Sequence, residues 1–112
     1  MNIDNMKAQM RKGVLELCIM SIISHEEVYP SDIINRLKEA ELIVVEGTLY
    51  PLLSRLKNSG FLSYSWKESP SGPPRKYFAI TPEGQKVLDE MNENWNQLVN
   101  AVNATTQNSN HE

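Results

Sequence analysis

The sequence is poor in residues that could support disulfides or metal sites, with one cysteine and two histidines among 112 residues. The single cysteine, Cys18, cannot form an internal disulfide, and its apolar neighbours predict a small buried side chain. Such sparing use of cysteine fits the reducing cytoplasm, where we expect the protein to reside. Neither histidine has further ligands at metal-binding spacing, so we expect no metal site.

Motifs typical of enzymes and of membrane proteins are also missing. The sequence has no phosphate-binding glycine loop, nucleophile elbow or nucleotide fingerprint, so we expect no catalytic residues and no cofactor. No stretch approaches the ~20 apolar residues that cross a bilayer, so we expect no membrane partner. Lys7, Arg11 and Lys12 precede an apolar run in the manner of a signal peptide, but Glu16 interrupts that run and argues against secretion.

Charge is distributed unevenly along the chain. The formal net charge is −3, yet residues 47–82 hold five basic side chains and one acidic side chain, a net charge of +4. The remaining residues hold six basic and 13 acidic side chains, a net charge of −7. A basic segment in an otherwise acidic chain can present one face to a polyanion such as nucleic acid.

The first half of the chain predicts helices. Apolar residues recur every three or four positions over residues 3–23, which predicts a long first helix with a broad apolar face. Such a face can cover an internal core and also contact a second subunit. Pro30, Ser31 and Asp32 are typical of a helix start, and they predict a short second helix over residues 31–40.

A third helix is predicted from leucines at i, i+3, i+4 and i+7 spacing, all of which should face inward: Leu49, Leu52, Leu53 and Leu56. Proline is tolerated only near a helix start, so Pro51 indicates that this helix begins near Gly47 or Thr48. Gly60 is placed to end it.

Two strands should follow the third helix. Alternation over residues 62–67 predicts a strand that buries Leu62, Tyr64 and Trp66, and a second alternating stretch over residues 76–80 predicts its partner. Between the strands, the prolines and glycine of residues 68–74 should form an exposed hairpin tip. This hairpin is typical of a β-wing.

Thr81, Pro82 and Glu83 predict the start of a last helix, whose apolar stripe continues to Val102 before polar residues without a period. We therefore predict one domain, with a winged helix-turn-helix region over residues 1–81, a C-terminal dimerisation helix over residues 82–104 and a flexible tail over residues 105–112. The fold class is mainly α with a small β-hairpin.

The outward side of the third helix carries residue types that contact DNA. With the leucines inward, the outward side chains are Thr48, Tyr50, Pro51, Ser54, Arg55 and Asn58. Hydroxyls and an arginine can reach base edges or phosphates, and Ser31 at the start of the second helix is a further candidate contact. Taken alone, this side could equally be an ordinary solvated helix face.

The hairpin favours the DNA interpretation. Arg75 and Lys76 follow the stiff tip and would present positive charge to phosphate or to a minor groove. The alternative is that these charges only keep an edge strand from aggregating. A proline-stiffened tip with adjacent cations, after a third helix of this kind, favours contact with double-stranded DNA.

The sequence resembles the PadR family of transcriptional regulators. The resemblance lies in residues 46–56 (Glu-Gly-Thr-Leu-Tyr-Pro-Leu-Leu-Ser-Arg-Leu), Gly60, residues 74–78 (Pro-Arg-Lys-Tyr-Phe) and residues 81–84 (Thr-Pro-Glu-Gly). The short chain with a single C-terminal helix is similar to the compact branch that includes multidrug-sensing repressors.

This resemblance implies a homodimer that pairs through the first and last helices of each subunit and places two recognition helices in successive major grooves. It implies DNA contacts from the recognition helix by Thr48, Leu49, Tyr50, Ser54 and Arg55, and from the wing by Gly72, Arg75 and Lys76.

The resemblance also implies a binding cavity for an effector. In the multidrug-sensing branch a tryptophan of the last helix lines a cavity at the dimer centre, and Trp95 matches that position. Met10, Val14, Leu17 and Val99 could line the same cavity around a small hydrophobic or aromatic effector, or could simply fill it.

Three functional hypotheses follow. The first is a PadR-like repressor that binds an inverted-repeat operator as a homodimer. The second is a small-molecule sensor with a hydrophobic pocket at the dimer centre. The third is a winged helix used only for protein contacts.

Overall fold

The computed structural model describes residues 2–108. These residues form five helices and one antiparallel hairpin, which confirms the predicted fold class. The elements in chain order are α1 (Ile3–Lys12), α2 (Leu15–His25), α3 (Pro30–Glu39), α4 (Glu46–Asn58), β1 (Leu62–Ser69), β2 (Gly72–Ile80) and α5 (Pro82–Asn108).

The predicted long first helix is divided into two helices, α1 and α2. Gly13 caps α1 by donating its N–H to the carbonyl of Arg11, and Val14 is the N-cap residue of α2, with φ −112° and ψ −2°. Glycine and β-branched valine are both weaker helix formers than alanine, so the break falls at the least helical pair in the segment. As a result α1 buries none of its residues, whereas α2 contributes Leu15, Ile19, Met20 and Ile23 to the core.

The core is built from every helix except α1 and from the base of the hairpin. Ile33 and Leu37 enter it from α3, Leu88 from α5, and Leu62 and Phe78 from the two strands. Cys18 is only half-buried and packs against the edge of this core, so the prediction of a buried side chain is correct only in part.

Helices α3 and α4 each begin one residue before the predicted starts. In α3 the carboxylate of Asp32 accepts the N–H of Tyr29 at 3.4 Å, which places the helix start at Pro30. Pro51 therefore lies inside α4 and leaves the carbonyl of Gly47 without its helical donor, but Gly47 is exposed and water can replace that donor. After α4, Gly60 adopts φ 85°, a left-handed conformation that suits glycine and ends the helix.

The predicted hairpin tip over residues 68–74 is shorter than expected. Strand β1 continues to Ser69 and β2 begins at Gly72, so Pro70 and Ser71 alone connect them. The strand pairing is irregular between Lys67 and Ser69, and β2 is paired only with β1 at this end. Proline lacks a backbone N–H and is tolerated at such irregular edge positions, so the prolines of β2 can be accommodated here.

The predicted buried face of β1 is correct only at its base. Leu62 is buried, but Tyr64 is exposed and Trp66 is 64% exposed. The helices pack against the hairpin near Phe78, which also pairs with Val28 through two backbone hydrogen bonds of 2.7 and 3.1 Å. Beyond that pairing the hairpin projects past the core, so the alternating side chains of β1 have nothing to bury against.

Helix α5 begins as predicted and ends later than predicted. The hydroxyl of Thr81 accepts the N–H of Gly84 at 2.9 Å and donates to the carbonyl of Gly60 at 2.7 Å. The helix then continues to Asn108, because residues 85–108 contain no glycine or proline to stop it. The expected tail is therefore helical over residues 105–108, and residues 109–112 lie outside the described residues.

No helix within residues 2–108 is both long enough and apolar enough to span a membrane.

Candidate nucleic-acid interface

Helix α4 separates a buried side from an exposed one. Leu49, Leu53 and Leu56 are buried and Leu52 is half-buried, which confirms the predicted inward leucines. The expectation that Leu49 contacts DNA is wrong for its side chain, which is 0% exposed and belongs to the core. Its place in the leucine repeat, and not its position in the family motif, determines where it points.

The exposed side of α4 has two flanks that face different parts of the molecule. Thr48 and Arg55 are seven residues apart, two turns of helix, and so lie on one flank. Tyr50 and Lys57 have the same spacing and lie on the other. Pro51 and Ser54 are exposed between these flanks.

Arg55 has a partner that its sequence neighbours do not reveal. Its Nη2 atom lies 2.5 Å from Oε1 of Glu16, in the first turn of α2. The Arg55 side chain is still 62% exposed, so its remaining donors are open to solvent. The flank of Thr48 and Arg55 therefore faces the first two helices.

The opposite flank faces the hairpin. Lys57 Nζ lies 5.5 Å from the ring centroid of Tyr64, and Lys76 Nζ lies 3.9 Å from the same centroid. Arg75 stacks over Tyr29, with its guanidinium carbon 4.8 Å from the ring centroid. Aromatic rings thus support both predicted wing cations, which limits their freedom without neutralising them.

Carboxylates neutralise only part of the basic segment. Lys67 lies 2.9 Å from Glu27, and Arg55 is paired with Glu16. Within residues 2–108, Lys57, Arg75 and Lys76 form no ion pair. These three cations all lie on or beside the hairpin, where their charge is available to an anionic partner.

The start of α3, the hairpin flank of α4 and the hairpin surround one open depression of about 390 Å³, which we call the wing depression. Four of the residues predicted to contact DNA line this depression: Ser31, Tyr50, Arg75 and Lys76. Two residues that sequence reasoning missed, Tyr29 and Trp66, also line it. The exposed Trp66 could have been suspected from its position in the basic hairpin, but alternation wrongly predicted that it was buried.

The remaining predicted contacts lie outside the wing depression. Gly72 is at the exposed hairpin turn. Thr48 lines a second open depression of about 320 Å³, which we call the α1 depression, together with the end of α1 and the link between α3 and α4. The predicted DNA contacts are therefore spread along both flanks of α4 and the tip of the wing.

Comparison with known proteins decides the family. Residues 19–90 match the model of the Transcriptional regulator PadR-like family. The chain belongs to the PadR family. No curated protein matches the chain.

Several solved PadR-family structures are similar to this chain over most of its length. A PadR-like transcription factor from Bacteroides fragilis is 57% identical, covering 90% of this chain and 98% of its own, with a TM-score of 0.76. A PadR-like transcriptional regulator from Bacillus cereus is 41% identical, covering 88% and 97%, with a TM-score of 0.79. A PadR-family regulator from Eggerthella lenta is 31% identical, covering 93% and 91%, with a TM-score of 0.86.

As a PadR-family regulator, the chain has a winged-helix fold, with the hairpin as its wing. The five predicted effector residues of this regulator lie along one apolar groove between α1, the start of α2 and α5. Its larger section, about 520 Å³, is lined by Met10, Val14, Trp95 and Val99, and its smaller section, about 210 Å³, adds Leu17. The groove is open to solvent in the single chain.

Burial raises the pKa of the Cys18 thiol, so the thiol stays protonated and weakly nucleophilic at neutral pH. Residues 2–108 also contain no cluster of side chains able to hold a metal ion.

Proposed function

We propose that this PadR-family chain is a cytoplasmic repressor that binds an inverted-repeat DNA operator as a homodimer. The observation that carries the proposal is the wing depression, which is lined by Tyr50 of α4 and by Arg75 and Lys76 of the wing, two cations that form no ion pair within residues 2–108. A duplex whose major groove receives α4 would bring a phosphate strand to these cations. Occlusion of a promoter by the bound dimer would then repress transcription.

The exposed apolar side chains of α1 and α5 support a dimer. Met10 is 79% exposed, Trp95 43% and Leu98 49%, and Ile3, Met6 and Val102 are exposed beside them. A folded monomer rarely exposes so large a contiguous apolar surface without a partner. A two-fold axis through this surface would bury it and would place two recognition helices on one side of the dimer, with half-sites about 34 Å apart.

Mobility shift with a duplex selected by the protein tests the DNA proposal. Arg75→Ala should weaken binding, because it removes a cation that no carboxylate balances within the described residues. Lys86→Ala is the matched control, since Lys86 is exposed on α5 at the base of the hairpin. Equal affinity of the wild type and Arg75→Ala, together with binding that ignores salt, would contradict the proposal.

A second candidate function is the sensing of a small hydrophobic or aromatic molecule. It is favoured by the apolar groove, where Trp95 presents an exposed ring beside Met10 and Val99. In a dimer two such grooves would form one cavity, and a ligand that preferred one angle between the subunits would change DNA affinity.

Quenching of tryptophan fluorescence by a panel of aromatic compounds tests this second function. The wild type should show saturable quenching that Trp95→Phe removes. Trp66→Phe is the control, because it removes the only other tryptophan and should leave the response intact. Quenching that persists in Trp95→Phe and disappears in Trp66→Phe would place the ligand at the wing instead.

A further inference from the structure

Two cations of α1 lie beside the recognition helix without a role in the function proposed above. Arg11 and Lys12, at the end of α1, are exposed and line the α1 depression with Thr48 of α4. The sequence alone gives these residues no more than a likeness to the basic start of a signal peptide. The fold brings them to the flank of α4 that faces away from the wing.

The charge of these two residues is not balanced locally. Within residues 2–108 neither Arg11 nor Lys12 forms an ion pair. The carboxylate of Glu16, four residues after Lys12, is already paired with Arg55, and Glu46 does not line the depression. Asp4 lies in the first turn of α1, at the opposite end of the helix. The depression therefore has a positive rim.

This rim and the wing cations lie on opposite sides of α4, as the two phosphate strands beside a helix in a major groove would. The major groove is about 12 Å wide and an α-helix with its side chains is about 10–12 Å across, so a phosphate strand runs along each side of an inserted helix. The wing cations Arg75 and Lys76 lie on one side of α4. Arg11 and Lys12 lie on the other side, next to Thr48 in the first turn of that helix.

We propose that the end of α1 binds the DNA backbone, with Lys12 contacting a phosphate on the strand opposite the one bound by the wing. The inference rests on the proposed DNA-binding function and extends it to a helix otherwise assigned to the dimer interface. Arg11 borders both the α1 depression and the apolar groove, whereas Lys12 borders only the α1 depression. A substitution of Lys12 therefore tests the proposed DNA contact without also changing the lining of the apolar groove.

The experiment measures the dissociation constant by fluorescence anisotropy from about 0.05 to 0.3 M salt, on a duplex that the wild type selects from a random library and on an unselected duplex of equal length. Lys12→Gln should weaken binding to both duplexes by the same factor, roughly fivefold at 0.15 M salt. It should also make the slope of log K against log salt less steep by about 1.8, because the dimer loses two phosphate contacts at about 0.9 each. Lys12→Arg should restore affinity and slope. Lys86→Gln, which removes an exposed lysine at the base of the hairpin, should behave as the wild type.

The other outcomes separate this inference from the function on which it rests. If the wild type binds DNA with a steep salt dependence and Lys12→Gln keeps the same slope, the α1 contact is wrong and the DNA-binding function stands. If Lys12→Gln changes the mass in sedimentation and leaves the slope unchanged, the residue belongs to a subunit contact and the inference also fails. If the wild type selects no duplex from the library and does not bind the unselected duplex, both proposals are overturned.

Discussion

At the scale of single residues, Gly84 shows how closely the last helix approaches the base of the hairpin. A Cβ atom at this position would lie 2.1 Å from the backbone carbonyl oxygen of Phe61 and 2.9 Å from Cγ1 of Ile80. Backbone cannot move aside as a flexible side chain can, so glycine is required here by space.

We predict that Gly84→Ala lowers the free energy of unfolding by about 1–3 kcal/mol, the usual cost of overpacking. Urea denaturation followed by circular dichroism measures the change. Gly47→Ala is the control: nothing lies within 4 Å of its Cβ, and alanine should leave stability unchanged or raise it by up to about 1 kcal/mol within α4. Equal stability of Gly84→Ala and the wild type would refute this close approach.

A second residue-scale prediction concerns the ion pair of Arg55 with Glu16. In the proposed complex, a carboxylate beside α4 competes with phosphate for the guanidinium and repels the duplex. Glu16→Gln should therefore strengthen DNA binding at low salt, by less than tenfold, and steepen the salt dependence. Glu26→Gln, which breaks an ion pair with Arg36, is the matched control and should leave affinity unchanged.

Titration of labelled duplex at several salt concentrations measures both the DNA affinity of Glu16→Gln and its salt dependence. Weaker binding by Glu16→Gln would mean that the carboxylate instead holds Arg55 in the orientation that DNA requires.

At the scale of elements, the start of α5 depends on Thr81. Its hydroxyl bonds to Gly84 N–H and to the carbonyl of Gly60, so one side chain caps α5 and ties it to the turn after α4. Thr81→Ala should lower the free energy of unfolding by about 1 kcal/mol, whereas Thr81→Ser, which keeps the hydroxyl, should lower it by less. Thermal unfolding of the two variants tests this difference, and identical losses would assign the effect to the methyl group instead.

Helix starts could be predicted from the sequence better than helix ends. Local chemistry such as Pro30 or the Thr81-Pro82 pair fixes a start, and the structure agrees to within one residue. Periodicity could not predict the break at Gly13, because the apolar residues of α1 and α2 keep the same helical spacing across it. It also predicted the wrong burial for Trp66, since alternation in a strand cannot reveal how far the hairpin extends beyond the core.

At the scale of the whole molecule, the parts of the candidate site that the sequence could not predict are contacts between distant segments. The residue types of α4 and the wing could be recognised, but the pairing of Arg55 with Glu16 and the stacking of Arg75 on Tyr29 join residues far apart in the chain. Such contacts follow from packing of complete elements, and no local pattern encodes them.

The described chain measures 62 × 32 × 22 Å, and its apolar groove lies along α1 and α5. We predict that Leu98→Asp converts a dimer into a monomer of 12.8 kDa in sedimentation velocity, because a charge in a buried subunit contact is costly. Asn100→Asp adds the same charge at an exposed position of α5 outside the residues that line the groove, and it should leave the dimer intact. A wild type that sediments as a monomer would contradict the dimer proposal.

Selection of bound duplexes from a fully random library tests the central claim most directly, since it asks for sequence recognition and two-fold symmetry at once. The enriched sequences should contain an inverted repeat whose half-sites are centred about one helical turn, ~34 Å, apart. Failure to enrich any sequence, or enrichment of a single half-site without a symmetric partner, would contradict recognition by a dimer of this winged-helix protein.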